Sequence, residues 1–155
     1  MLKVGFIGLG TMGFPIAGHI SQSYETAVFN RTTNKSQKWT SEFKGEVCES
    51  IKDLALKSNV IFLCLSEDKD IEEIVLGSGG ILEHLNEETI VVDHSTTSVD
   101  TATLISNELL KKDSIFLDAP VSGGEVGAKN GTLSVMIGGD DLAYKQISPI
   151  LDCYS

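Results

Sequence analysis

Gly8, Gly10 and Gly13 stand near the start of the chain in the spacing GxGxxG, with Leu9, Thr11 and Met12 between them. A turn of this kind can hold a diphosphate. The first glycine permits a tight turn, the second lets the backbone approach a pyrophosphate, and the third lets a helix pack closely on a sheet. A helix that begins there offers unpaired N–H groups and the positive end of its dipole. Alone the pattern is weak, because glycine-rich turns are common in loops. The flanks strengthen it. Lys3-Val4-Gly5-Phe6-Ile7 reads as a strand, Met12, Ile16, Ala17 and Ile20 form a helical stripe, and Thr26-Ala27-Val28-Phe29 reads as a second strand.

The end of that second strand bears on which dinucleotide would fit. A binder of NAD usually places Asp or Glu about 20 residues on, to take the ribose 2′-hydroxyl. Here the position holds Asn30, 22 positions after Gly8, followed by Arg31, Thr32 and Lys35. A guanidinium forks onto a phosphate or stacks on an adenine. The plain alternative is a solvated basic turn before a helix. The expected cofactor is NADP, with NAD as the second choice.

Two further groups follow later strands. Asp93-His94-Ser95-Thr96-Thr97-Ser98 can offer Ser95 and Thr96 to a nicotinamide ribose or carboxamide, while Ser98 suits the N-cap of the next helix. His94 can act as a general acid or base, though a lone histidine at a strand end is more often a structural hydrogen-bonder. Asp118-Ala119-Pro120-Val121-Ser122-Gly123-Gly124 can form a small anion-binding nest from Ser122 and the two N–H groups after it. Against this, paired glycines usually make flexible turns. Gly127 and Gly131 keep the stretch glycine-dense. His19 and His84 fall in predicted helices and receive no role.

Elements able to position these groups alternate along the chain. Helices are expected around 35–43, 51–56, 68–75, 81–85, 100–112 and from 140 onward. Strands are expected near Glu46-Val47-Cys48, over Asn59 to Leu65, Thr89 to Asp93 and Ser114 to Asp118. The continuous apolar run of Val60-Ile61-Phe62-Leu63 suits a parallel strand covered on both faces. Repeated strand–helix units point to an α/β, doubly wound, Rossmann-type sheet, mostly parallel. Only Ser122 to Thr132 separates the sixth strand from Leu133-Ser134-Val135-Met136-Ile137, barely enough for a parallel crossover. That seventh strand is expected to be antiparallel, at the sheet edge.

Bulk properties narrow the partners. The 155 residues allow one domain with a sizeable core, and a net charge of −10 argues against nucleic acid or an anionic membrane. No apolar run approaches the roughly 18 residues that span a bilayer. Cys48, Cys64 and Cys153 are odd in number and carry no CxxC, so a cytoplasmic location is expected, with no signal peptide.

Four blocks together resemble the β-hydroxyacid dehydrogenase family, which includes 3-hydroxyisobutyrate dehydrogenase and the tartronate-semialdehyde and glyoxylate/succinic-semialdehyde reductases. They are Val4 to Gly13, Asn30-Arg31-Thr32, Asp93-His94-Ser95-Thr96, and Phe116 to Gly124 continuing through Gly127-Ala128 to Gly131-Thr132-Leu133. The last block is the most specific. The resemblance implies that Ser95 and Thr96 meet the cofactor and that Ser122, Gly123 and Gly124 hold the carboxylate of a small substrate. It implies an NADPH-type signature at Asn30-Arg31-Thr32. The full set of expected cofactor contacts is Gly8, Leu9, Gly10, Thr11, Met12, Gly13, Asn30, Arg31, Thr32, Lys35, Leu65, Ser95 and Thr96.

Two departures matter. Val99 stands where the family often has proline. More important, the family's catalytic lysine and its asparagine partner belong to a long helix with an all-helical domain after it, and neither Lys129 nor Lys145 matches them. The expectation is therefore a cofactor-binding half without useful turnover, any homo-oligomer forming through the absent domain. The alternatives are a non-catalytic dinucleotide-binding or assembly module, and a Rossmann enzyme of other chemistry, which the Ser122-Gly123-Gly124 block disfavours.

Overall fold

Four-residue apolar strands leave no polar face for solvent, so they must be covered on both sides. The computed structural model, which describes residues 1–155, shows how. β1 (Val4–Ile7), β4 (Val60–Leu63) and β5 (Ile90–Asp93) are buried at every position. They pair in parallel with β2 (Thr26–Phe29), β3 (Glu46–Val47) and β6 (Ile115–Asp118) in the order β3-β2-β1-β4-β5-β6. The chain builds outward from β1 to β3, then returns to the other side of β1 with β4. The order of strands reverses there, at the kind of crevice where open α/β sheets bind ligands.

Alternation along each strand sorts the core into two layers. Phe6 and Phe62 face one side, stacked with ring centroids 6.0 Å apart. They join Ile16 and Ile20 of α1 (Gly13–Ser21), Trp39 of α2 (Thr33–Glu42), Ile147 and Ile150 of α8 (Asp141–Leu151), and Tyr154. Ile7, Ile61, Leu63 and Val91 face the other side. They pack on α3 (Ile51–Lys57), α4 (Asp68–Leu76), α5 (Ile81–His84) and α6 (Val99–Leu110) through Leu54, Ile71, Ile81 and Ile105. Helix starts follow local chemistry: Ser50, Ser98 and Asp140 each accept the N–H three residues on. Ser98 is thus the N-cap expected of it. No helix is long and apolar enough to cross a membrane.

The segment after β6 differs in detail from the expectation. β8 (Ser134–Val135) is antiparallel, as read, but its ladder partner is β7 (Val121–Ser122) in a separate two-stranded ribbon. The ribbon joins the edge of β6 through a single bridge between Asp118 and Gly138. Between the two short strands the glycine-dense stretch forms α7 (Gly124–Asn130), a helix absent from the expected elements. The reversal it makes brings β8 back beside β7. Glu125 and Lys129 pair along it at 2.8 Å, and Gly131 closes it in the left-handed conformation with φ 70°.

Candidate dinucleotide site

Parallel register decides where the chemistry gathers. Ile7, Phe29, Leu63, Asp93 and Asp118 are aligned across the sheet, so the residues after each strand emerge at one edge. Gly8, Asn30, Leu65, Ser95 and the loop to Gly124 all leave from there.

Gly8 has φ +102°, and a Cβ at this position would collide with the carbonyl oxygen of Cys64. A Cβ on Gly13 would strike the carbonyl oxygen of Gly8, so helix and turn can approach only without it. Gly10 differs: no atom lies within 4 Å of where its Cβ would be. Its open side is ready for a ligand. The N–H groups of Gly10, Thr11, Met12 and Gly13 donate to no protein acceptor, and Met12 provides no side-chain cap to α1. Four free donors at a helix start suit a diphosphate. Leu9 stands apart from its neighbours. Its side chain is buried in the core, and its N–H donates to Asn30 Oδ1 at 2.8 Å.

Asn30 therefore binds the turn. Its amide nitrogen also donates to the Thr32 carbonyl at 3.1 Å, which shapes the entry to α2. Arg31, Thr32 and Lys35 are exposed. The Arg31 guanidinium lies 3.8 Å from Glu73 on α4. A groove of about 490 Å³ opens between α1, α2 and α7, bordered by Gly10, Thr11, Phe14, Lys35, Lys38 and Lys129 among others.

At the other end of the edge, Ser95 is buried and braces its own loop. Its Oγ accepts the N–H of Leu65 at 2.7 Å, and its N–H donates to Asp93 Oδ1 at 2.9 Å. Thr97 donates its hydroxyl to the second Asp93 oxygen. Burial raises the Asp93 carboxyl above the usual range, against the pull of the hydrogen bonds from Thr97 and Ser95. Thr96 is exposed, and its side chain makes no hydrogen bond within the chain. Asp118, beside Asp93 in register, is also raised by burial, and its Oδ1 is buried without a partner.

His94 faces inward. Ala119 offers only a carbonyl, 2.6 Å away, so Nδ1 carries the proton and Nε2 accepts the Tyr154 hydroxyl at 2.5 Å. Burial holds the imidazole pKa down at about 4. The structural role prevails over the catalytic one. Cys64, pushed up to about 12 mainly by burial, is partly buried and packs against the core as a small hydrophobe.

Ser122, Gly123 and Gly124 are exposed, and the N–H groups of Gly123 and Gly124 donate to no protein acceptor. Gly123 has φ 132° and Gly124 φ 62°, backbone conformations that glycine adopts without a side-chain penalty. His19, given no role from sequence, bonds through Nε2 to the carbonyls of Ala128 and Lys129, and so ties α1 to the end of α7. No local pattern marks that bond, because its partners are more than a hundred residues apart.

Comparison with known proteins agrees with this geometry. The NAD binding domain of 6-phosphogluconate dehydrogenase, as a family model, matches residues 3–155. The chain belongs to that family. Within this NAD-binding family, a protein described as an uncharacterized oxidoreductase of Shewanella frigidimarina is 42% identical over 156 residues, covering 100% of this chain and 54% of its own length. The 3-hydroxyisobutyrate dehydrogenase of Mycobacterium tuberculosis, solved with L-serine, superposes with a TM-score of 0.92 at 25% identity, over 100% of this chain and 52% of that one. Psf3, solved in complex with NADP+ and 2-OPP, has a TM-score of 0.92 at 30% identity, over 97% of this chain and 54% of that one. The chain spans about half the length of these relatives. It is an NAD-binding domain of that family.

Proposed function

We propose that this chain is the NADP(H)-binding part of an oxidoreductase that moves a hydride between a nicotinamide cofactor and a small 3-hydroxy acid or semialdehyde. The single observation that carries the reading is the shared edge. Free donors at Gly10 to Gly13, the exposed Arg31 and Lys35, the free Thr96 side chain and the free N–H groups of Gly123 and Gly124 all emerge from aligned strand ends.

The cofactor, when bound, gives or takes the hydride. The chain's residues bind and orient. N–H groups of Gly10 to Gly13 meet the diphosphate. Arg31 and Lys35 supply charge for a ribose 2′-phosphate, with Thr32 adding a hydroxyl. Thr96 and Ser95 meet the nicotinamide half next to Leu65. Ser122, Gly123 and Gly124 hold the substrate carboxylate.

Protonating the alkoxide needs another group. His94 is buried and neutral, and Lys129 is paired with Glu125. We assign that proton to a lysine in the half of the relatives' length that this sequence does not span, together with any self-association. The three free thiols suit the cytosol.

Calorimetry with NADPH, followed by an assay with 3-hydroxyisobutyrate and NADP+, tests the assignment on these 155 residues. Saturable NADPH binding without turnover is the expected result. Steady turnover would refute the placement of the proton donor, and no binding of NADPH or NADH would remove the whole reading.

A further inference from the structure

The end of β2 carries no carboxylate in sequence, yet the fold supplies one. Glu73, midway along α4, brings Oε2 within 3.8 Å of an Arg31 amino nitrogen. β1 lies between β2 and β4, so the pair links the loop after one outer strand to the helix after the other. No other ion pair in the chain joins residues so far apart in sequence.

Its geometry is that of a loose tether. Charge-assisted N–H···O bonds close to about 2.7–2.9 Å, and this pair stands well outside that range. Its side chains are 67% and 70% exposed. An exposed pair of this kind contributes little, and a better anion displaces it readily. Lys35, a cation in the first turn of α2, has no ion-pair partner to lose. Any anion that takes Arg31 must therefore displace Glu73 and then bear the field of its freed carboxylate. A neutral hydroxyl, which has no charge to pair with Arg31, bears neither cost.

We propose that Glu73 sets the cofactor discrimination of this domain, by competing with a ribose 2′-phosphate for Arg31 and so restraining the preference for NADP over NAD. The proposal rests on the NADP reading above and extends it to a residue outside the β2 loop. Neighbouring carboxylates of α4 have other tasks: Asp68 accepts the Ser98 N–H, and Glu72 accepts the Thr101 hydroxyl. Glu73 has only Arg31.

The probes are 2′,5′-ADP and 5′-AMP, which differ by the phosphate in question, titrated calorimetrically into the chain and into Glu73→Gln. The exchange should tighten 2′,5′-ADP about two- to fivefold, the strength of an exposed ion pair, and leave 5′-AMP unchanged. Glu73→Lys should tighten it further, and both gains should shrink as salt rises. In an Arg31→Ala background Glu73→Gln should give a smaller gain, because only the field of the carboxylate is then removed. An unchanged ratio of the two affinities in Glu73→Gln overturns the proposal. Weaker 2′,5′-ADP binding also overturns it, because Glu73 would then be holding Arg31 in place for the phosphate. If the unmodified chain binds both probes equally, the NADP reading fails and this inference fails with it. A chain that prefers 2′,5′-ADP but ignores Glu73→Gln loses this inference alone. Circular dichroism confirms that each variant is folded.

Discussion

Asn30 accepts the Leu9 N–H through its side-chain oxygen at 2.8 Å, so the residue at the end of β2 is also a strut of the phosphate turn. A carboxylate there could accept the same N–H, yet would set a negative charge beside the 2′ position. Asparagine keeps the strut and omits the charge. The turn and the loop after β2 are one unit through that bond, and the exposed Arg31 follows directly on Asn30.

NADPH should bind at least tenfold more tightly than NADH. Hydrogen bonds to charged groups contribute about 1.5–3 kcal/mol, and tenfold corresponds to about 1.4 kcal/mol. Arg31→Ala should erase most of the difference. Titration with both nucleotides decides it, and equal affinities in the unmodified chain would reverse the assignment.

Gly10→Val should abolish dinucleotide binding and leave the protein folded. Its side chain would enter open space where nothing now lies within 4 Å, which is the space a pyrophosphate needs. The variant should keep its circular dichroism spectrum and unfolding midpoint. Undiminished affinity would reduce Gly8 to Gly13 to an ordinary turn.

Acid should destabilise the chain through His94. Burial lowers its pKa from 6.5 to about 4, so the unfolded state binds more protons between those values. The stabilisation is whole above pH 6.5 and is lost as pH falls toward 4, amounting to on the order of 3 kcal/mol. Asp93 and Asp118, raised by burial, oppose this at the lower end. Comparison with His94→Gln isolates the histidine: urea unfolding from pH 7.5 to 4.5 should show a steeper loss in the unmodified chain. Parallel curves would count against a neutral buried imidazole.

Ser122→Ala, made in a longer protein that carries this domain and turns over, should raise KM for the hydroxy acid and spare NADPH affinity. That is the pattern of lost ground-state binding. Weaker NADPH with unchanged KM would move the triplet into the cofactor site.

The sequence by itself determined the order of elements and the glycine turn, because both are written in local patterns. Apolar runs of strand length, helical stripes, the cap at Ser98, and the three glycines each act within a few residues of themselves. Periodicity and turn chemistry are read at that range. α7 is not legible because Gly124 and Gly127 within it, with Gly123 and Gly131 at its ends, outweigh its Glu125–Lys129 pair, and because its support comes from His19 on α1. Only tertiary structure could show that Glu73 meets Arg31, or that Tyr154 closes on His94 and fixes its proton. These pairs depend on strand order and helix packing, which bring residues from distant parts of the chain to one side of the sheet. No local pattern records who arrives opposite whom.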